Sequence, residues 1–168
     1  MTVYNVGPVR FGGADGATPQ SMVTTSLGPN DPEIGTVYRD GNKEYVFVYN
    51  AGGASAAVGH GVIISAVSGY SVTVSSVTDI NGWCIGVVQN ATFTTAAYGW
   101  VQTRGFGQVQ MHANQSAAAG ERLVLSTDGG FGRLASANTD VLRATPVAIA
   151  VSAIASGASG TAYIRTFF

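Results

Sequence analysis

A strict alternation runs through the middle of the chain. In Tyr98-Gly99-Trp100-Val101-Gln102-Thr103-Arg104-Gly105, large side chains occupy every second position and small or branched residues fall between them. A repeat of two is the period of a β-strand, in which successive side chains point to opposite faces; a helix repeats at 3.6. Gly105 and Gly107 bracket Phe106, which predicts a bend or bulge there, followed by a second strand over Gln108 to Met111. The segment admits three uses. Tyr98 and Trp100 can cap a core, Trp100 can stack a ligand, or the stretch can meet another subunit, since the glycines let a second backbone approach closely.

The rest of the chain repeats this character in shorter pieces. Thr36 to Arg39 and Lys43 to Tyr49 flank Asp40-Gly41-Asn42, and Arg122 to Ser126 and Phe131 to Ala135 flank Thr127-Asp128-Gly129-Gly130. Asp-Gly between two β-prone runs predicts a hairpin. Tyr45 to Tyr49 is apolar or aromatic at every position, so both faces of that strand are expected to be covered. Further strands are predicted at Val62 to Val67, Tyr70 to Val77 with a bulge at Ser75-Ser76, Trp83 to Val88, Ala91 to Thr94, Pro146 to Ser152 and Thr161 to Phe167. Asn50 to Gly61 and Ala113 to Gly120 read as loops, the second with room for one helical turn. Asp79 to Gly82 reads as a turn, and Ser136 to Ala144 as a short helix or loop. About ten short strands with turns every 8–12 residues predict an all-β fold, a small barrel or a sandwich.

Residues 1–34 form a separate compositional block, holding Pro8, Pro19, Pro29 and Pro32 of the five prolines. Proline removes sheet donors and glycine resists ordering, so this block is expected to be an extended N-terminal arm on a body of residues 35–168. The arm also carries Val3, Tyr4, Val6, Val9 and Phe11. A solvated tail does not hold so many apolar residues, and these five are candidate contacts to the body or to a neighbouring molecule. Phe167 and Phe168, at the other end, are candidates for the same reason.

Charge narrows the function. Only 10% of the 168 residues are charged and 46% are hydrophobic, against about 25% charged in an ordinary soluble domain. Such a chain has little charge to keep isolated copies apart. With 23 glycines and a net charge of −1, the pattern suits close β packing within an assembly. It offers no bulk attraction for nucleic acid or an anionic membrane. Lys43 is the single lysine, and the arginines form no basic run. No signal peptide is expected from the first residues, and the most apolar run, Pro146 to Ala158, is too short and interrupted to span a bilayer.

The chemistry-bearing residues are sparse. Cys84 stands alone in an apolar setting and reads as a buried thiol. His60 and His112 are isolated in sequence, and most acidic residues fall in predicted turns, where Asp serves the backbone. No phosphate loop or nucleophile elbow is visible. We therefore expect no enzyme, no catalytic residues, no cofactor and no metal. The candidate assembly contacts are the arm residues above, the terminal phenylalanines, and Tyr98, Trp100, Arg104 and Phe106.

Three segments carry a resemblance. Gly86-Val87-Val88, then Tyr98 to Gly105, then Ala119-Gly120-Glu121-Arg122-Leu123-Val124-Leu125-Ser126-Thr127-Asp128-Gly129-Gly130, taken in that order, resemble the head decoration, or cement, proteins of tailed bacteriophages. The resemblance covers residues 35–168. It implies a β-barrel or β-tulip body, a trimer or other homo-oligomer on the outer capsid surface, and arms that grip the major capsid protein. It implies a virion protein made in the host cytoplasm, with no catalytic residues to carry over. Two other uses remain open on the residues alone: a tail or head-fibre component, and a carbohydrate-binding β module with Tyr98 and Trp100 as its platform.

Overall fold

A computed structural model describes residues 23–28, 31–65, 70–74, 84–89, 91–126, 128–133 and 146–166. Among these the chain is all-β, with eleven strands and no helix. The strands are β1 (Val23–Thr24), β2 (Val37–Asp40), β3 (Lys43–Asn50), β4 (Gly61–Ile64), β5 (Ser71–Val74) and β6 (Cys84–Val88). They continue with β7 (Tyr98–Gln110), β8 (Arg122–Leu125), β9 (Phe131–Arg133), β10 (Ala148–Ala150) and β11 (Ser159–Arg165).

The alternating central stretch becomes the longest of these strands. β7 does not stop at the glycine pair; it runs unbroken for 13 residues. The irregularity expected there is a bulge, and it falls just before Gly105. Glu44 pairs with Arg104 while Tyr45 pairs with Gln102, so Thr103 is the extra residue. Gly105 then adopts φ +99, a conformation that side-chain-bearing residues rarely take. The bulge lets one strand serve two circuits. Residues 98–104 pair with β3, and residues 104–110 pair with β11.

The first circuit runs β3–β5–β4–β6–β7 and back to β3, antiparallel except for β3–β5. The second runs β7–β11–β10–β8–β9, and a parallel bridge from Phe131 to Met111, just past the end of β7, closes it. Neither is a regular barrel, since β3–β5 pairs two residues from each strand and the second closure is a single bridge.

Each circuit has its own core. Val46, Val48, Val62, Val72, Ile85, Val88, Phe93 and Val101 fill the first. Ile63, Cys84, Val87, Val109, Met111, Leu123, Phe131, Ile154 and Ile164 belong to the second. β4 and β6 form the wall between them, which is why every residue of β6 is buried. A register shift between Val62 and Ile63 skips Ile85. That changes the phase, sending Ile85 and Val88 to one core and Cys84 and Val87 to the other. A third cluster, Tyr45, Phe47 and Trp100 with Tyr38 and Tyr98 against it, packs on the other face of β3 and β7. Both faces of β3 are thus covered, as its unbroken apolar run predicts.

Local chemistry sets the ends of the elements. β2 and β3 are joined by Gly41 and Asn42 alone, with Gly41 at φ +56, the requirement of the first central position of a II′ turn. In the second hairpin, β8–β9, the Asp128 carboxylate accepts from the Gly130 amide at 2.9 Å. Asn50, fully buried, donates to the carbonyls of Ala54, Phe93 and Thr94 and accepts from Gly52. That side chain ties the loop after β3 to the approach to β7. The strand expected at Ala91 to Thr94 reduces to one bridge, Phe93 to Ala56. Ala113 to Gly120 holds turns and a bridge from Ala117 to Ile154, without a helical turn. Residues 1–22, the bulge at Ser75-Ser76, the turn at Asp79 to Gly82, Ser136 to Ala144 and the terminal phenylalanines lie outside the described residues. The end of the first block, Val23–Thr24, pairs with Gly99 and Tyr98 of β7.

Candidate functional site

Registration across β7, β11, β10 and β8 builds one outward face. Along β11, Ala162 and Ile164 are buried while Thr161 and Arg165 are exposed and Tyr163 half-buried. Along β10, Ala148 and Ala150 are buried and Ile149 is exposed. The period of two therefore puts a defined set outside. Phe106 pairs with Tyr163, Tyr163 with Ile149, and Ile149 with Arg122, so these four side chains form a row across four strands. Phe106 is 52% exposed and Ile149 46%, and Val151, next outward from β10, is 49% exposed. Isolated exposed apolar residues need no explanation, but a contiguous row rimmed by arginine has the composition of an interface.

A second row lies beside the first. Arg39 on β2 pairs with Glu44 on β3, Glu44 with Arg104 on β7, and Arg104 with Arg165 on β11. Arg39 donates to the Glu44 carboxylate at 2.7 Å, which is nearly buried on its own side. Thr103 Oγ1, inside the bulge, also lies within hydrogen-bond distance of the Glu44 carbonyl and carboxylate. Glu44 is thus occupied by Arg39 and Thr103. Arg104 is exposed, and the neighbouring Tyr163 hydroxyl and, less so, Glu44 raise its pKa above the ordinary value. Around it opens a shallow cleft of about 280 Å³, lined by Arg39, Lys43, Glu44, Arg104, Phe106 and Tyr163 together with Gly41 and Asn42 of the β2–β3 turn. The Phe106 and Tyr163 rings meet edge to face, 5.2 Å apart at 74°.

Two of the sequence candidates, Arg104 and Phe106, come together here. Tyr98 is half-buried on the opposite part of β7, against Tyr49 at 4.7 Å and Phe47 at 6.3 Å. Trp100 corrects an expectation. It is only 5% exposed, packed 5.1 Å from Phe47 and 6.0 Å from Tyr38. It belongs to the interior and offers no stacking platform to a sugar and no surface to a neighbour. The physical reason is the aromatic cluster of Tyr38, Tyr45 and Phe47 from β2 and β3, which covers that face of β7. Val3, Tyr4, Val6, Val9, Phe11, Phe167 and Phe168 lie outside the described residues. Tyr163, Ile149, Lys43 and Arg39 were missed as site residues. Tyr163 and Ile149 sit on strands whose alternation was visible, but their partners are set by long-range pairing.

The histidines are less isolated than their spacing suggests. His112 Nε2 lies 3.6 Å from the Asp128 carboxylate. Burial holds His60 below its ordinary pKa, against a smaller upward pull from the same Asp128 and from Gln110. Among the described residues, no group of three His, Cys, Asp or Glu side chains is arranged to hold a metal. Cys84 is buried in the second core, and desolvation pushes its thiol up to about 12.

No protein-family model and no curated protein matches the sequence. Among solved structures, the chain is similar to the N base of the head fiber gp8.5 of bacteriophage phi29, with a TM-score of 0.46 and 14% identity. That match covers 72% of this chain and 94% of the other.

Proposed function

We propose that this chain is a non-enzymatic structural component of a tailed-phage head. In this reading it binds the outer surface of the shell as a symmetric oligomer, a trimer, and cements capsomers of the major capsid protein. The observation that carries the reading is the outward row of Phe106, Tyr163 and Ile149, extended by Val151 and rimmed by Arg104, Arg165 and Arg122. Its composition is that of an interface core with arginine anchors. It lies on a chain in which charged residues make up only 10%, so little repulsion opposes dense packing of copies on a lattice. The resemblance of its segment order to decoration proteins, noted above, supports the choice of partner. Many modest contacts, repeated by symmetry, then give firm attachment without any single strong site.

The test is sedimentation. The purified chain is mixed with heads assembled without it, and the heads are pelleted. Saturable co-sedimentation, reduced by Ile149→Ser with Val151→Ser, is the expected outcome. A chain that stays in the supernatant at every shell concentration contradicts the proposal. A chain that pellets but leaves shell stability unchanged favours the base of a head fibre over a cement.

A further inference from the structure

The cations of this chain look scattered in sequence, but the fold collects half of them. Of the eight lysines and arginines, Arg39, Lys43, Arg104 and Arg165 converge where β2, β3, β7 and β11 lie side by side. Two carboxylates sit among them: Glu44, which Arg39 engages at 2.7 Å, and Asp40, the cross-strand partner of Lys43. Among the described residues, neither carboxylate forms an ion pair with Lys43, Arg104 or Arg165. The cleft between Lys43 and Arg104 opens directly onto exposed Phe106.

We propose that this cleft is a docking site for carboxylate side chains of an acidic protein segment, seated between Lys43 and Arg104, with the segment's apolar residues on Phe106, Tyr163 and Ile149. The proposal rests on the interface reading above and names the chemistry of the partner. Three features select an acidic protein over other occupants. Arg104 presents an exposed planar fork that matches a carboxylate, with Tyr163 beside it in the cleft lining. The apolar part of the site continues into aliphatic Ile149 and Val151, and its two rings meet edge to face. That suits protein side chains better than a sugar ring, which needs an open aromatic face. A second copy of this chain, turned onto the same face by a two-fold axis, brings arginines against arginines, and like charges oppose that pairing. Beside the cleft, β2 pairs only with β3 among the described residues and exposes Val37, so an extended segment has a strand edge to follow.

The probe is a fluorescein-labelled peptide of alternating glutamate and valine, titrated against the full chain at about 20 mM and about 200 mM salt. A lysine-for-glutamate peptide and an oligogalacturonate of equal charge serve as comparisons. Saturable binding of the acidic peptide is expected, weakened about tenfold by the higher salt and about tenfold by R104Q or K43Q. Both side chains are at the surface, and an unchanged thermal midpoint checks that the variants fold. Absence of saturation, equal binding of the lysine peptide, or tighter binding of the oligogalacturonate overturns the proposal. The head assay separates the two claims. Heads that bind R104Q and wild type equally, with no salt dependence, overturn the acidic dock and leave the structural function standing. Peptide binding without head binding does the reverse.

Discussion

Gly105 carries two constraints at once. Its φ is +99, and a Cβ built on it meets the Asn42 carbonyl oxygen at 2.5 Å and the Lys43 Cα at 3.0 Å. Those are backbone atoms of the β2–β3 turn, which have little freedom to move aside. Gly41 also has positive φ, but nothing lies within 4 Å of the same added atom. Gly41→Ala is therefore expected to cost about 1 kcal/mol from backbone strain alone. Gly105→Ala is expected to cost about 3 kcal/mol, strain plus overpacking. Urea midpoints with unchanged slope measure both; equal losses at the two sites contradict the close approach described here. Cys84 gives a second residue-level expectation. With its folded pKa near 12 and an unfolded value near 8.5, the native state keeps a proton that the unfolded state sheds. Its contribution is intact below about pH 8.5, and stability falls above that by up to about 1.4 kcal/mol per pH unit. Cys84→Ala removes that part of the alkaline slope. A slope that is the same in the variant rules out the burial as its source. The sequence made these two sites partly visible: glycines beside Phe106 flagged a bulge, and the apolar setting of Cys84 flagged a buried thiol. It did not show what approaches Gly105, because Asn42 and Lys43 reach it only through the β3–β7 pairing.

At the level of elements, β7 is the member on which the two circuits depend. Its first half contributes Val101 to one core and its second half contributes Val109 to the other, while β4 and β6 present opposite faces to both. No boundary crosses the chain where one core ends without disturbing the other. Both cores are therefore expected to unfold in a single transition. Near-UV circular dichroism reports the Tyr45, Phe47 and Trp100 cluster, and the rate of Cys84 alkylation reports the second core. Their urea midpoints should coincide; a separation beyond error argues for two independent units. Strand existence was largely legible from alternation and from the two Asp-Gly turns, because those signals are local. Strand partners were not. The parallel contact of β3 with β5 and the long pairing of β7 with β11 join segments distant in sequence, and no local pattern specifies them. For this reason the three uses open to Trp100 in sequence could not be separated: alternation gives a side chain's face but not what covers that face.

Over the whole molecule, the same long-range pairing produces the surface features that matter for function. Arg39, Arg104 and Arg165 carry no mutual signal in sequence, yet the register sets them in one row. The apolar row beside them arises from Phe106, Tyr163 and Ile149 in the same way. A low-charge body with one arginine-rimmed apolar face is suited to a fixed place among neighbours, and the proposed role follows from that face. The most direct measurement is a cryo-electron microscopy reconstruction of heads with and without the chain. The account predicts added density at symmetric positions on the outer surface, with the β7–β11–β10 face turned toward the major capsid protein and Arg104 opposite acidic side chains. Heads without added density, or density in which that face points to solvent, contradict it.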